Sequence, residues 1–507
     1  MAELQSFLRD STSKSPLFLA IALGLAITYQ ALVVAYNLFF HPLRKFPGPI
    51  LQRASYIPWA VRHVKGRQAL ETHKLHEKYG PVVRITPNHL SFTDAQAFKD
   101  IYGHMTGNKS GHAEMSKTIP FNRPFDDVPD SIVNASRDKH AHIRRALSHS
   151  FSDSSMRQQE NIMVKHIDLL LQKLHEKCAE GRTTLNIEEW YNWTTFDITG
   201  DLVFGESFAC LEGTAYHPWV EFIFGAVRFN AYITAMDYLG FHWLVQLIFR
   251  FSNNSFKDLQ NENVKMLEKR LAMKEPRQDL FEGLAKRSDN LNISFGELTS
   301  NAFILTIAGS ETTATTLAGA TYLLTMNPHI LEKLNKEVRS MFNSSEEINI
   351  TSVNKLSYLL AVLNESLRMY PPVTSNLVRQ VPPGGSTVAG NHVAGGTFVE
   401  VQQWSANHSS RNWVNPWEFN PDRFLHRAEK GNDGNVLESL QPFSIGPRNC
   451  IGRNLAYAEM RLILARIIYD FDLRIADNST NWIDAQKTYT LWDRVPLNVY
   501  LTPVNRG

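Results

Sequence analysis

The stretch from Ser294 to Asn327 constrains the fold most. It contains no proline, opens on Ser294 with Glu297 three residues later, and closes on Asn327-Pro328. The opening is the pattern of a capping box, and a helix stops at the residue before a proline. One unbroken helix is predicted across it, unusually long for a globular protein. From about residue 137 to 375 helical patterns dominate, and from about 377 to 435 Gly, Pro and Asn are frequent and the helical period is lost. Helix returns at 454–470, short strand-like segments close the chain, and Pro81-Val82-Val83-Arg84-Ile85 reads as a short strand ending at Pro87. The expected fold is mainly α with small peripheral β-sheets. No repeat, low-complexity tract or internal linker divides it.

The 507 residues are 43% hydrophobic and 20% charged, an ordinary globular composition with room for a large core. Net charge is +2, and no basic block or basic-aromatic interleaving points to a nucleic acid. The 3 cysteines are widely spaced and odd in number, which gives neither a disulfide framework nor a zinc spacing. A reducing compartment is the simpler expectation.

Leu17 to Phe40 carries no charge. As a helix it would span about 36 Å, enough to cross a bilayer. The apolar core of a cleaved signal peptide is shorter, about 7–15 residues. Arg44, Lys45, Arg53, Arg62, Lys65 and Arg67 follow it, and positive-inside bias puts that side in the cytoplasm. Phe46-Pro47-Gly48-Pro49 cannot extend the helix and is expected to be a stiff break. The expected layout is a lumenal N-terminus (1–16), a transmembrane anchor (17–40), a proline-rich hinge (41–52) and a catalytic domain (53–507).

Cys450 stands apart from Cys178 and Cys210, whose surroundings suggest inert buried thiols. It lies in Phe443-Ser444-Ile445-Gly446-Pro447-Arg448-Asn449-Cys450-Ile451-Gly452, just before a helical run. A cysteine at a helix N-terminus meets unpaired N–H groups and the positive dipole end, which favour thiolate. Gly446 and Gly452 lack a Cβ and would let the backbone pass close to a flat ligand. Arg448 suits a carboxylate. Together these suggest haem with a cysteine axial ligand. The pattern Phe-x-x-Gly-x-Arg-x-Cys-x-Gly resembles the haem-binding loop of the cytochrome P450 family. The anchor, the Pro-Gly-Pro hinge and the variant at His140 most resemble microsomal fungal members of secondary metabolism.

Ala308-Gly309-Ser310-Glu311-Thr312-Thr313 sits in the middle of the long helix. Gly309 is expected to leave a gap for a ligand, with an acid and a hydroxyl beside it. The segment resembles the family's oxygen-activation motif, which implies that Thr312 hydrogen-bonds dioxygen and its waters and that Glu311 relays protons. Glu365-Ser366-Leu367-Arg368 places Glu365 and Arg368 on one helix face. It resembles the family's Glu-x-x-Arg motif, and Arg423 in Phe419-Asn420-Pro421-Asp422-Arg423-Phe424 matches the arginine that completes a structural triad. Arg144 matches a propionate-binding arginine, His140 stands where tryptophan is common, and Arg379 lies where the family often has another propionate arginine. His140 and His142, two residues apart, point to different helix faces and do not suggest a metal site.

The resemblance implies a mainly α cytochrome P450 fold, haem b held by Cys450, and insertion of one oxygen atom of O2 into a lipophilic molecule such as a terpenoid, polyketide or alkaloid. The sequence has no flavin or nicotinamide motif. Electrons would therefore come from an NADPH–cytochrome P450 reductase, with cytochrome b5 as an auxiliary donor, at the endoplasmic reticulum membrane. Arg448, Arg453 and Lys139 are candidates for the docking face. Pocket candidates are 103–133 with Phe121 and Phe125, the aromatic-rich Phe222–Leu247, Val373-Thr374-Ser375-Asn376 and Thr490-Leu491-Trp492. Two alternatives remain open at this stage: a haem-thiolate isomerase or dehydratase that uses no O2, and a non-catalytic haem-binding membrane protein.

Overall fold

The computed structural model describes residues 2–104, 114–117, 128–251, 253–274, 277–287, 292–374, 377–425 and 434–505. The helices used below are α1 (Ala2–Ala35), α2 (Ile57–Val64), α3 (Ala95–Tyr102), α4 (Arg137–Ser148), α5 (Asp153–Lys177), α6 (Ile187–Phe204), α7 (Pro218–Tyr238), α8 (Phe295–Met326), α9 (Ser357–Met369) and α10 (Arg453–Asp470). The strands are β1 (Val82–Thr86), β2 (His89–Phe92), β3 (Ser116–Lys117), β4 (Thr184–Asn186), β5 (Arg379–Gln380), β6 (Phe398–Val401), β7 (Phe471–Ile475) and β8 (Asn498–Pro503).

Helix α8 is the axis of the body. Ser294 Oγ accepts from the Glu297 N–H and the Glu297 carboxylate accepts from the Ser294 N–H, closing the capping box. From Thr313 to Leu324 almost every residue is buried, on all faces. A helix apolar all round belongs inside a core. Small side chains let neighbours come close: a Cβ on Gly319 would lie 2.4 Å from Tyr370 Cδ1. The Tyr191 hydroxyl of α6 meets Thr321 Oγ1 at 2.7 Å. Helices α4, α5, α6, α9 and α10 pack with α8 into one large apolar cluster.

The sheets are peripheral. One runs β1-β2-β6-β5-β3, with β2 and β6 parallel and the other pairs antiparallel. It carries its own apolar cluster, including Leu90, Phe92, Phe98, Val399 and Val401. Another runs β4-β8-β7, all antiparallel.

At the N-terminus Leu19–Phe40 is long and apolar enough to span a membrane, and its most apolar stretch is not buried in the body. The proline-rich segment, a stiff break by its sequence, is also tied to the body. The Arg84 N–H donates to Pro47 O at 2.7 Å, and a Cβ on Gly48 would lie 2.3 Å from Arg84 O. Only glycine lets the segment lie against β1, so backbone contact fixes what proline merely stiffens. Asn37 Nδ2 adds a bond to Ala54 O at 2.9 Å.

Candidate functional site

The loop before α10 is shaped by backbone contacts. Cys450 N–H donates to Phe443 O at 2.8 Å and Asn449 N–H to Gly446 O at 3.2 Å. Gly446 has φ +75°, and a Cβ there would lie 2.0 Å from Tyr102 O. A glycine is therefore required where the loop crosses the end of α3, a neighbour that the sequence did not show. At Gly452 a Cβ would meet only ordinary contacts, Phe151 Cε1 at 3.8 Å and Cys450 Sγ at 3.9 Å. The Phe443 ring lies 5.2 Å from that of Tyr457 on α10. Arg144 of α4 reaches across and donates to Asn449 O at 2.6 Å, clamping the loop one residue before the cysteine.

Cys450 itself is exposed, whereas Cys178 and Cys210 are buried. Burial nonetheless pushes the Cys450 thiol up, and the Gly452 N–H, Arg144 and Arg453 oppose it without prevailing. The surface that Cys450 shows is thus an inward one. Burial works against the thiolate that the backbone position favours, and a cation bound at the sulfur would offset it.

Helix α8 has a matching anomaly. Ala308 is exposed and Thr312, one turn later on the same face, is partly so, although both lie mid-helix in the core. Thr312 Oγ1 donates to Ala308 O at 2.7 Å. Gly309 does not open a gap for a ligand. Its Cβ would sit 3.2 Å from Thr199 Cγ2, so this glycine permits the close approach of α6. The open surface lies one residue earlier. Glu311 is buried and paired with Arg494.

Five cationic or titratable groups converge from three other elements and the loop. Lys117 on β3 is pulled down to about 7 by burial and by Arg379 and Arg448, with Glu114 opposing. His140 on α4 is pulled down to about 4 by burial, Arg448, Arg144 and Lys117, so it is neutral at pH 7. Arg379 on β5 is buried, stacks 5.2 Å over the Tyr102 ring, and is lowered chiefly by burial. Arg448 donates to Glu114 Oε1 through Nε at 3.0 Å and Nη2 at 2.9 Å, and to Ala135 O at 2.9 Å. Among the described residues Glu114 is the carboxylate that acts on this set. Gathering cations around one anion is costly unless further negative charge arrives. An exposed thiol facing inward beside this cluster fits a planar, iron-bearing, dianionic group, which is haem. Lys117 and Glu114 escaped the sequence reading because a two-residue strand has no periodicity to mark it.

A second cluster is fully buried. Glu365 accepts from Arg368 Nε and Nη2, each at 2.8 Å, and from Arg423 Nε at 3.2 Å. Arg368 also donates to Asn407 O at 2.8 Å and Pro416 O at 2.6 Å.

Other expectations shift. Arg448 is turned inward and Lys139 pairs with Glu297 and Asp130, so of the three docking candidates only Arg453 is exposed. Within Phe222–Leu247, Phe229, Tyr232, Phe241, Trp243 and Leu247 are exposed. α7 instead packs on α2, with the rings of Trp59 and Tyr238 4.4 Å apart. Thr374 N–H donates to Thr490 O at 3.1 Å, while Trp492 stacks on Tyr370 at 4.4 Å and is core. Phe121, Phe125, Ser375 and Asn376 lie outside the described residues.

The family model for cytochrome P450 matches residues 47–498. A cytochrome P450 monooxygenase of Talaromyces stipitatus, tpeC, is 45% identical over 96% of this chain and 95% of its own length. The trichothecene C-15 hydroxylase of Fusarium sporotrichioides is 41% identical over 96% of this chain and 98% of its own. The averantin hydroxylase of Dothistroma septosporum is 41% identical over 95% and 90% respectively. Likeness of this extent, reached from end to end and not through the cysteine loop alone, makes the chain a member of the cytochrome P450 family and a haem-thiolate monooxygenase.

Proposed function

We propose that the chain is a membrane-anchored monooxygenase that hydroxylates a lipophilic secondary metabolite at an unactivated C–H bond. The observation that carries it is the inward-facing Cys450 beside a cation cluster with one carboxylate. The names of the relatives, a trichothecene C-15 hydroxylase and an averantin hydroxylase, favour hydroxylation as the reaction.

Cys450 would be the axial ligand. Arg448, Arg379, Arg144 and Lys117 would neutralise the propionates, and neutral His140 would donate a ring N–H to one of them. Phe443 packs the loop against α10, Gly446 lets it cross α3, Gly452 gives Cys450 an N–H, and Gly309 sets the spacing of α6 and α8. Glu365, Arg368 and Arg423 hold the scaffold without touching substrate. When bound, haem supplies the dioxygen-activating redox chemistry. The chain excludes bulk water, orients the substrate over the open face of α8 and meters protons. Thr312, whose hydroxyl hydrogen goes to Ala308 O, accepts a hydrogen bond at that face, and Glu311 is the acid behind it. Thr312→Ala is expected to divert NADPH electrons from product to peroxide. Unchanged coupling would remove Thr312 from the relay.

Electrons would come from an NADPH–cytochrome P450 reductase, with cytochrome b5 as auxiliary donor. Exposed Arg453 borders a groove of about 450 Å³ with Arg157 and Arg461, a basic surface suited to an acidic partner. Residues 1–16 would be lumenal, 17–40 the single span in the endoplasmic reticulum membrane, 41–52 the hinge and 53–507 the cytosolic catalytic domain. Deleting residues 1–40 is expected to release the body from membranes in detergent-free extracts. Persistent association would assign a second contact to the exposed apolar side chains of Phe229, Tyr232 and Trp243.

The test is the reduced carbon monoxide difference spectrum of the expressed protein. The long-wavelength Soret band of a thiolate-ligated ferrous carbonyl is expected, and its absence from folded, haem-loaded protein would overturn the assignment. Dependence of turnover on NADPH and reductase separates this function from peroxide rearrangement.

A further inference from the structure

Glu311 has a partner that its own helix could not reveal. Arg494 arrives from the C-terminal segment after Trp492, and its Nη2 lies 3.0 Å from Glu311 Oε2. The same guanidinium meets Glu188 Oε1 of α6 through Nε at 2.8 Å and Asn192 Oδ1 through Nη2 at 3.0 Å. Its Nη1 reaches Thr315 Oγ1. All three charged side chains are nearly inaccessible, at 4% to 11% exposure. One cation between two buried carboxylates leaves an excess negative charge, which a proton relieves. Burial pushes the Glu311 carboxyl up and Glu188 adds to it, with Arg494 opposing. Tyr216 and Tyr370, both kept protonated by burial, are the other titratable groups acting on this pair. Glu311 Oε1 is buried with no hydrogen-bond partner among the described residues.

A cavity of about 340 Å³ begins at this carboxyl. Glu188, Tyr216, Glu311 and Arg494 line it, as do Gly225 and Arg228 of α7. Gly225 and Arg228 are exposed, so the cavity connects the protein surface to Glu311. At roughly 30 Å³ per water it could hold a chain of about ten.

We infer that this cavity is the solvent inlet through which protons reach Glu311, and that Arg494 is a positioning residue holding the carboxyl at its inner end. A cavity water passes a proton to the Glu311 carboxylate, and the hydroxide left behind is neutralised from bulk solvent along the chain. Glu311 then releases its proton on the Thr312 side and returns to Arg494 as the carboxylate, unchanged over the cycle. Arg494 stays paired with Glu188 meanwhile, so no buried cation is stranded when Glu311 swings. The inlet rests on the relay role proposed for Glu311.

The experiment follows the carboxyl itself by infrared spectroscopy in full-length, haem-loaded protein in detergent. Its C=O band is assigned by its loss in Glu311→Gln, and its shift is timed after transfer to D2O. Gly225→Trp is the blocking variant, because a Cβ there meets nothing within 4 Å and the ring can fill the cavity. Gly225→Trp is expected to slow exchange several-fold while leaving the titration midpoint of the band unchanged. Exchange at the wild-type rate overturns the inlet. Arg494→Lys cannot span both carboxylates and is expected to move the midpoint; an unmoved midpoint removes Arg494 from its positioning role. Failure of the carbon monoxide spectrum would strike the monooxygenase assignment and leave the exchange result standing, so the two failures are distinguishable.

Discussion

Cys450→Ala should abolish turnover and erase the thiolate band of the carbon monoxide spectrum in a protein that still folds. The residue is exposed at an inward surface, where truncation to alanine is expected to cost little stability. Its backbone bond to Phe443 O survives the change. The loss should therefore be chemical. A corollary follows from the direction of its titration. Without a metal the thiol is pushed up by burial, so in haem-free protein Cys450 should react slowly with alkylating reagents at neutral pH. Haem loading should then protect it completely. A variant that kept the thiolate band would end the assignment of Cys450 as ligand, and rapid alkylation of haem-free protein would show that the loop alone stabilises the thiolate.

Glu365→Ala should be the most destabilising single change in the body. The carboxylate is wholly inaccessible and holds two guanidinium groups, one of them equally inaccessible. Removing it strands both cations, and breaking a buried pair in this way costs about 3–5 kcal/mol. That is a large part of the roughly 5–15 kcal/mol by which domains are stable. Little haem-loaded protein should accumulate, and what does should melt well below wild type. Arg368→Lys should fail nearly as badly, because an ammonium cannot reach Glu365, Asn407 O and Pro416 O together. A melting temperature unchanged in Glu365→Ala would show that the triad is not structural. An exposed Glu–Arg pair would be worth only about 0–1 kcal/mol, so the same two residue types yield opposite forecasts according to burial alone.

Burial is what the linear chain does not announce. Glu365-x-x-Arg368 on paper is a weak helix-surface pair, and packing makes it the core of the scaffold. The glycines teach the same lesson. Gly309 and Gly446 lack a Cβ and so suggested room for a ligand, but each yields to protein, Thr199 in one case and the Tyr102 carbonyl in the other. Which neighbour a missing Cβ accommodates depends on residues more than a hundred positions away. By contrast the start of α8 at Ser294, its end at Asn327 and strand β1 were legible, because caps, prolines and β-branched runs act within a few residues.

The sequence by itself determined the class of molecule: an apolar anchor, a long capped helix, and a cysteine in a motif whose spacing serves haem. These are local statements, fixed by hydrogen bonds and torsions between near neighbours. Tertiary structure alone decided the electrostatics. It set Arg494 against Glu311 from 183 positions away, brought Lys117 and Glu114 to the arginines, and raised the Cys450 thiol by burying it. Charge interactions act through space and strengthen as water is excluded, so their balance exists only once distant segments have closed around them.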